Sequence, residues 1–129
     1  MPGLRLRDCF AQYGIDVGTY PRRVWSAVSP DGKAVLTLWT DQFDDPDMTQ
    51  YSTFGKRLPR WQHRRENKLR VEQLTAVGVG GTFESIIQTS TDPDAQPRRA
   101  RSRRLGPTMR LLALDPETGE FRAEVIQHA

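Results

Sequence analysis

Two short stretches, each a pair of alternating β-forming runs around a turn, constrain the fold of this chain more than any other feature. The first runs from Arg22 to Ser29 as RRVWSAVS, breaks at Pro30-Asp31-Gly32 and resumes as AVLTLWT. Alternation of apolar and polar residues suits a half-buried strand, and Pro-Asp-Gly supplies turn chemistry. The second places TMRLLAL and EFRAEVIQ on either side of Asp115-Pro116-Glu117-Thr118-Gly119. Each predicts an antiparallel hairpin.

The remaining elements are read around these hairpins. Leu6, Cys9, Phe10 and Tyr13 fall at helical spacing, and Gly14 stands where a left-handed cap would end a short helix. RRENKLRVEQLTAV places Leu69, Leu74 and Val77 near one helical face, with Glu66 to Arg70 and Lys68 to Glu72 as i,i+4 pairs, and residues 78–81 end that helix. TFESIIQTS reads as a strand. The order is helix, strand, strand, helix, strand, strand, strand. It predicts an α+β fold, a mostly antiparallel five-stranded sheet or partly open barrel with two helices. At 129 residues the chain is expected to form a single domain, with long loops near 41–60 and 91–107.

Formal charge is only +3, but it is unevenly spread. Between residues 56 and 70 stand Lys56, Arg57, Arg60, Arg64, Arg65, Lys68 and Arg70 against the single acid Glu66, with Trp61 among them. Between residues 98 and 110 stand Arg98, Arg99, Arg101, Arg103, Arg104 and Arg110, with no acid. Carboxylates gather instead at Asp41, Asp44, Asp45 and Asp47, and at Asp115, Glu117, Glu120 and Glu124. Clustered guanidinium groups are the footprint expected for a polyanion, and an aromatic beside them can stack on a base or sugar. The candidate nucleic-acid-binding residues are therefore Arg57, Arg60, Trp61, Arg64, Arg65, Arg98, Arg99, Arg101, Arg103 and Arg104. Either run also fits a plainer description, as a solvated helix face and as a disordered loop respectively.

Other chemistries find little support. Asp41, Asp44, Asp45 and Asp47 lack the glycine and terminal glutamate of a calcium loop, and Pro46 interrupts them, so a solvated loop or strand-end cap is expected and no metal. Cys9 lies on an apolar helix face, where a lone cysteine is usually packing. His63 and His128 are the only histidines, too few for a zinc site. The glycines at 78, 80 and 81 follow a helix and do not precede one, against a phosphate loop. No catalytic residue and no cofactor are expected. A single cysteine excludes an internal disulfide and suits a reducing cytosol. The start, Met1-Pro2-Gly3-Leu4-Arg5, has no apolar segment like that of a signal peptide, and no run approaches the ~20 apolar residues of a membrane span. A cytoplasmic protein is the expectation.

WSAVSPDG with LTLWTDQF, then DPDAQPRRARS after a strand, resembles a small bacterial DNA-recognition domain found beside modification-dependent restriction endonucleases. The resemblance spans roughly residues 24–114, and the chain lacks any histidine-asparagine-histidine nuclease segment. It implies a stand-alone reader of DNA, with Trp25, Trp39 and the arginines of the second basic run as candidate contacts. The sequence thus points to a nucleic-acid-binding module, and to DNA in particular. The alternative is a protein-interaction or regulatory module in which acidic and basic patches meet, on an acidic partner or in a homodimer, with monomer and dimer both open.

Overall fold

The computed structural model describes residues 5–18, 24–54, 65–91 and 100–127. Helix α1 is Leu6–Ala11, capped at Gln12 and followed by a turn that closes at Gly14, whose φ is +76°. Six residues are too few for an isolated helix in water, so α1 depends on the face it buries. That face is Leu6, Cys9 and Phe10, and Phe10, fully buried, contributes about 1.5–3 kcal/mol.

The expected first hairpin forms. Strands β1 (Ser26–Val28) and β2 (Ala34–Trp39) pair antiparallel, from Ser26↔Leu36 to Val28↔Ala34, and the Ser29 N–H donates to the Lys33 carbonyl at 2.8 Å across the turn. A 3-10 turn, Thr40–Gln42, and a short strand β3 (Gln50–Ser52) follow. Helix α2 is Arg65–Val77, strand β4 is Thr82–Ser90, and β5 is Ala100–Leu105. The second expected hairpin closes the chain as β6 (Thr108–Leu114) and β7 (Phe121–Gln127).

The α+β content is as expected, but the sheet differs from the five-stranded, mostly antiparallel sheet or partly open barrel. It has seven strands in the order β1-β2-β4-β6-β7-β3, with β5 also on β4, and it does not close. One central pairing is parallel: β2 runs beside β4 from Val35↔Glu84 to Trp39↔Gln88. Parallel neighbours require a long crossover, and residues 40–81, which include β3 and α2, provide it. Both expected long loops contain a strand, β3 in the first and β5 in the second.

Strand β4 organises the molecule. On one edge it carries β2; on the other, β5 and then β6 follow in continuous antiparallel sense, from Ile87↔Arg104 and Ile86↔Leu105 to Phe83↔Met109 and Thr82↔Arg110. Gly106 and Pro107 separate them. A Cβ on Gly106 would lie 2.3 Å from Ser85 Oγ and 2.7 Å from Ile87 Cγ1, so only glycine lets the backbone pass this close to β4.

The two faces of the sheet have different covers. On one, Leu74 of α2 packs with Leu36, Leu38, Phe83, Ile87, Met109, Leu111 and Phe121. On the other, α1 and Ile15 pack on Val35 and Ile86, with Leu105 at the margin. Strand β2 is therefore buried from both sides, which suits its apolar run AVLTLW. Where α1 does not reach, the same face carries a polar row in register, Thr82, Arg110, Glu124 and Gln50, with Arg110 and Glu124 paired at 3.5 Å.

Candidate functional site

The second basic run supplies a structured site on β5. Its sequence, ARSRRL, has no apolar alternation to mark a strand, yet it pairs with β4 from Ile86↔Leu105 to Thr89↔Ser102, and the register shifts between Thr89 and Ser90. The expectation of a loop here is corrected. Among the described residues no strand pairs with the outer edge of β5, so its arginines stand at a sheet margin. Arg104 pairs opposite Ile87 and shares the α2 side of the sheet; Arg103 pairs opposite Gln88 and shares the α1 side. Arg101 and Arg104 are exposed, and Arg103 is half-buried.

Arg103 is held in place. Its Nε–H donates to Gln88 Oε1 at 2.9 Å, and Gln88 is itself buried. In the next strand the register places Trp39 beside Gln88. Trp39, Gln88 and Arg103 thus form one row across β2, β4 and β5, one pleat beyond the row of Thr37, Ile86 and Leu105. The backbone at Trp39 is anchored too: its N–H donates to Tyr51 Oη at 3.3 Å, and that hydroxyl donates to Gln42 Oε1 at 2.5 Å. Tyr51 is buried against Phe43 and Phe121, which makes this end of β2 a rigid support.

The first basic run is only partly placed. Arg57, Arg60, Trp61 and Arg64 lie outside the described residues, as do Arg98 and Arg99 of the second run. Arg65 is exposed at the start of α2, a helix that packs over β1, β2 and β6. It is therefore not part of the β5 margin.

One residue of the first basic run turns out to belong to the interior. Arg70, expected to pair with Glu66 on the solvated face of α2, points inward, and Leu69 of the expected apolar face is exposed. The helix buries Asn67, Arg70 and Leu74 instead. The Arg70 guanidinium lies 5.1 Å from the ring centres of both Trp25 and Phe121, and its Nη2 donates to Asn67 Oδ1 at 3.2 Å. Burial pulls the Arg70 pKa down to about 10, with the Tyr51 phenol acting weakly the other way. Trp25 therefore packs on a buried cation. No sequence signal marked Arg70, because its i,i+4 relation to Glu66 reads as a surface pair.

The aspartate cluster serves the chain itself. Asp45 accepts from the Thr49 and Gln50 backbone N–H groups, both at 2.9 Å, and from the Thr49 hydroxyl at 2.5 Å. The Thr49 hydroxyl first, and then the Gln50 N–H, hold its carboxyl below the usual aspartate value. It ties down the tight bend before β3, where Met48 adopts a φ of +56°. Among the described residues no group of three or more His, Cys, Asp or Glu side chains gathers as metal ligands. Cys9 is fully buried, and burial pushes its thiol pKa up, the opposite of what a reactive thiolate needs.

A surface cleft of about 440 Å³ lies between α1 and the first hairpin, lined by Gln12, Tyr13, Asp31, Lys33 and Glu84. Several of its polar groups are already engaged within the protein. Glu84 accepts from the Thr108 hydroxyl at 2.9 and 3.1 Å and faces Lys33 at 3.8 Å, while the Tyr13 hydroxyl donates to the Ser85 carbonyl at 3.2 Å. Ser29 likewise donates to Asp31 in the turn.

No family model, curated protein or solved structure matches the chain. Among the described residues no helix is long and apolar enough to cross a membrane.

Proposed function

We propose that the protein is a nucleic-acid-binding module, with DNA as the expected partner, acting through a basic margin with aromatic support and carrying no catalysis of its own. The observation that carries this reading is the placement of Arg101, Arg103 and Arg104 on an edge strand of a buried sheet. A strand holds these side chains at fixed intervals, where a loop would have to order them on binding. Guanidinium groups so arrayed neutralise phosphates and release their counterions. The same arginines also discourage edge-to-edge pairing with another chain, a plainer use of basic residues on an edge strand.

An interaction module built on complementary acidic and basic patches draws less support. Asp45, central to the acidic patch, already spends its oxygens on Thr49 and Gln50.

Fluorescence anisotropy with labelled DNA and RNA at low and moderate salt tests the proposal. Binding that weakens steeply with salt is the expected result. Absence of binding, or binding indifferent to salt, would rule it out.

A further inference from the structure

We infer that Ser102 is a phosphorylation site and that a phosphoryl group there switches the β5 margin off. The inference rests on the nucleic-acid reading above and adds its regulation. Of the six serines in the chain, Ser26, Ser29, Ser52, Ser85 and Ser90 are buried, and Ser102 alone is exposed. It stands inside the basic run Arg98-Arg99-Ala100-Arg101-Ser102-Arg103-Arg104.

Sequence and position both suit a protein kinase. Arg98 and Arg99 stand four and three residues before Ser102, a charge pattern that an acidic substrate groove recognises. Strand β5 is already extended, no strand pairs with its outer edge among the described residues, and its register with β4 shifts beside Ser102, between Thr89 and Ser90. The irregular end of an edge strand opens at lower cost than the middle of a ladder. In the transfer, Ser102 Oγ bonds to the γ-phosphorus of a nucleoside triphosphate as the bond from that phosphorus to its bridging oxygen breaks. Nucleoside diphosphate leaves, and the hydroxyl proton passes to a base of the kinase.

The register also sets what the phosphoryl group meets. Ser102 pairs opposite Thr89 and Arg104 opposite Ile87, so their side chains share the α2 side of the sheet, about 7 Å apart along the strand. A phosphoserine carries about −1.5 to −2 charges near neutral pH, with strong acceptor oxygens. At that spacing it reaches the Arg104 guanidinium, and its charge offsets those of Arg101 and Arg104, both exposed. A nucleic-acid phosphate would then meet a neutralised margin.

The test treats the full chain and Ser102→Ala with the catalytic subunit of an arginine-directed serine kinase and labelled ATP, then titrates each with a labelled oligonucleotide at low salt. The wild type is expected to take up about one phosphate per chain, located at Ser102 by mass spectrometry, and then to bind about tenfold more weakly or worse. Ser102→Ala should take up almost none. Ser102→Glu should lose about threefold in affinity and Ser102→Gln almost nothing, a contrast that a merely structural role of Ser102 would not produce. No uptake at Ser102, or uptake that leaves affinity unchanged, overturns the inference while the nucleic-acid reading stands. Absence of binding by the unmodified chain removes both. If a variant does not fold, the phosphorylated and unmodified wild type decide between them.

Discussion

Arg103 and Gln88 meet across the β4–β5 pair, Nε to Oε1 at 2.9 Å, and the glutamine is the buried partner. A guanidinium held by a buried amide is already oriented. Gln88→Leu keeps the approximate shape and removes the acceptor, so it should cost about 1–3 kcal/mol of stability, as a lost hydrogen bond to a charged group does. It should also weaken oligonucleotide binding, because Arg103 would have to be ordered by the ligand. Urea denaturation and anisotropy on the same variant check both effects; unchanged affinity would mean that Gln88 serves the fold alone.

Arg70 lies buried between Trp25 and Phe121, a cation among aromatic rings. Replacing a buried ion by an apolar side chain of similar volume is often neutral or stabilising, whereas truncation leaves a cavity. Arg70→Met should therefore match or exceed the wild-type stability at neutral pH, and Arg70→Ala should lose about 2–4 kcal/mol. The sign with pH follows from the folded pKa, which lies below the ordinary arginine value at about 10. Between about 10 and that ordinary value the unfolded chain holds the proton more tightly, so this group adds stability as pH rises through the window. Urea midpoints of the two variants at neutral pH give the comparison.

Gly119 sits in the turn between β6 and β7 with a φ of +83°, and a Cβ there would lie 2.3 Å from Asn67 Oδ1. Asn67 in turn donates to the Thr118 carbonyl at 3.0 Å, which ties α2 to this turn. Gly119→Ala should destabilise by about 1–3 kcal/mol through strain and contact together. In an Asn67→Ala background the contact part disappears, so the same substitution should cost less. A double-mutant cycle reads the coupling, and strict additivity would show that the close approach has no energetic weight.

Asp45 holds the bend before β3 as a carboxylate, and its folded pKa lies below the usual 3.8. A depressed carboxyl contributes stability that is present above the unfolded pKa and lost as pH falls through the folded one. Asp45→Asn should therefore lower stability at neutral pH and narrow its gap to wild type as pH drops below 3.8. Thermal melts across that range decide; a gap independent of pH would mean that the ionised form is not what Thr49 and Gln50 recognise.

Both hairpins, β4 and α2 were legible because alternation, helical spacing and turn residues all agreed locally. The parallel pairing of β2 with β4 was not, since no local pattern reports which strands become neighbours across residues 40–81. Strand β5 was hidden by its own chemistry: Arg101, Arg103 and Arg104 give an edge strand that buries only one margin and so shows no apolar period. Strand β3 is three residues long, too short for alternation to register. On α2 the buried face was misjudged, because Asn67 and Arg70 read as surface residues until their partners Thr118, Trp25 and Phe121 arrive from distant segments. The site shared this limit. Arginine clustering was visible in the sequence, but the row that joins Trp39 to Arg103 exists only through sheet register.

Salt dependence of oligonucleotide binding, measured for the wild type and for Arg101→Gln with Arg104→Gln, tests the central claim most directly. Both arginines are exposed, so the fold should survive their replacement. The account predicts that affinity falls steeply with salt, and that the double variant binds more weakly with a slope in log affinity against log salt shallower by roughly one to two. Equal affinity and an equal slope for the two proteins would contradict it, because the β5 margin would then not be where phosphates bind.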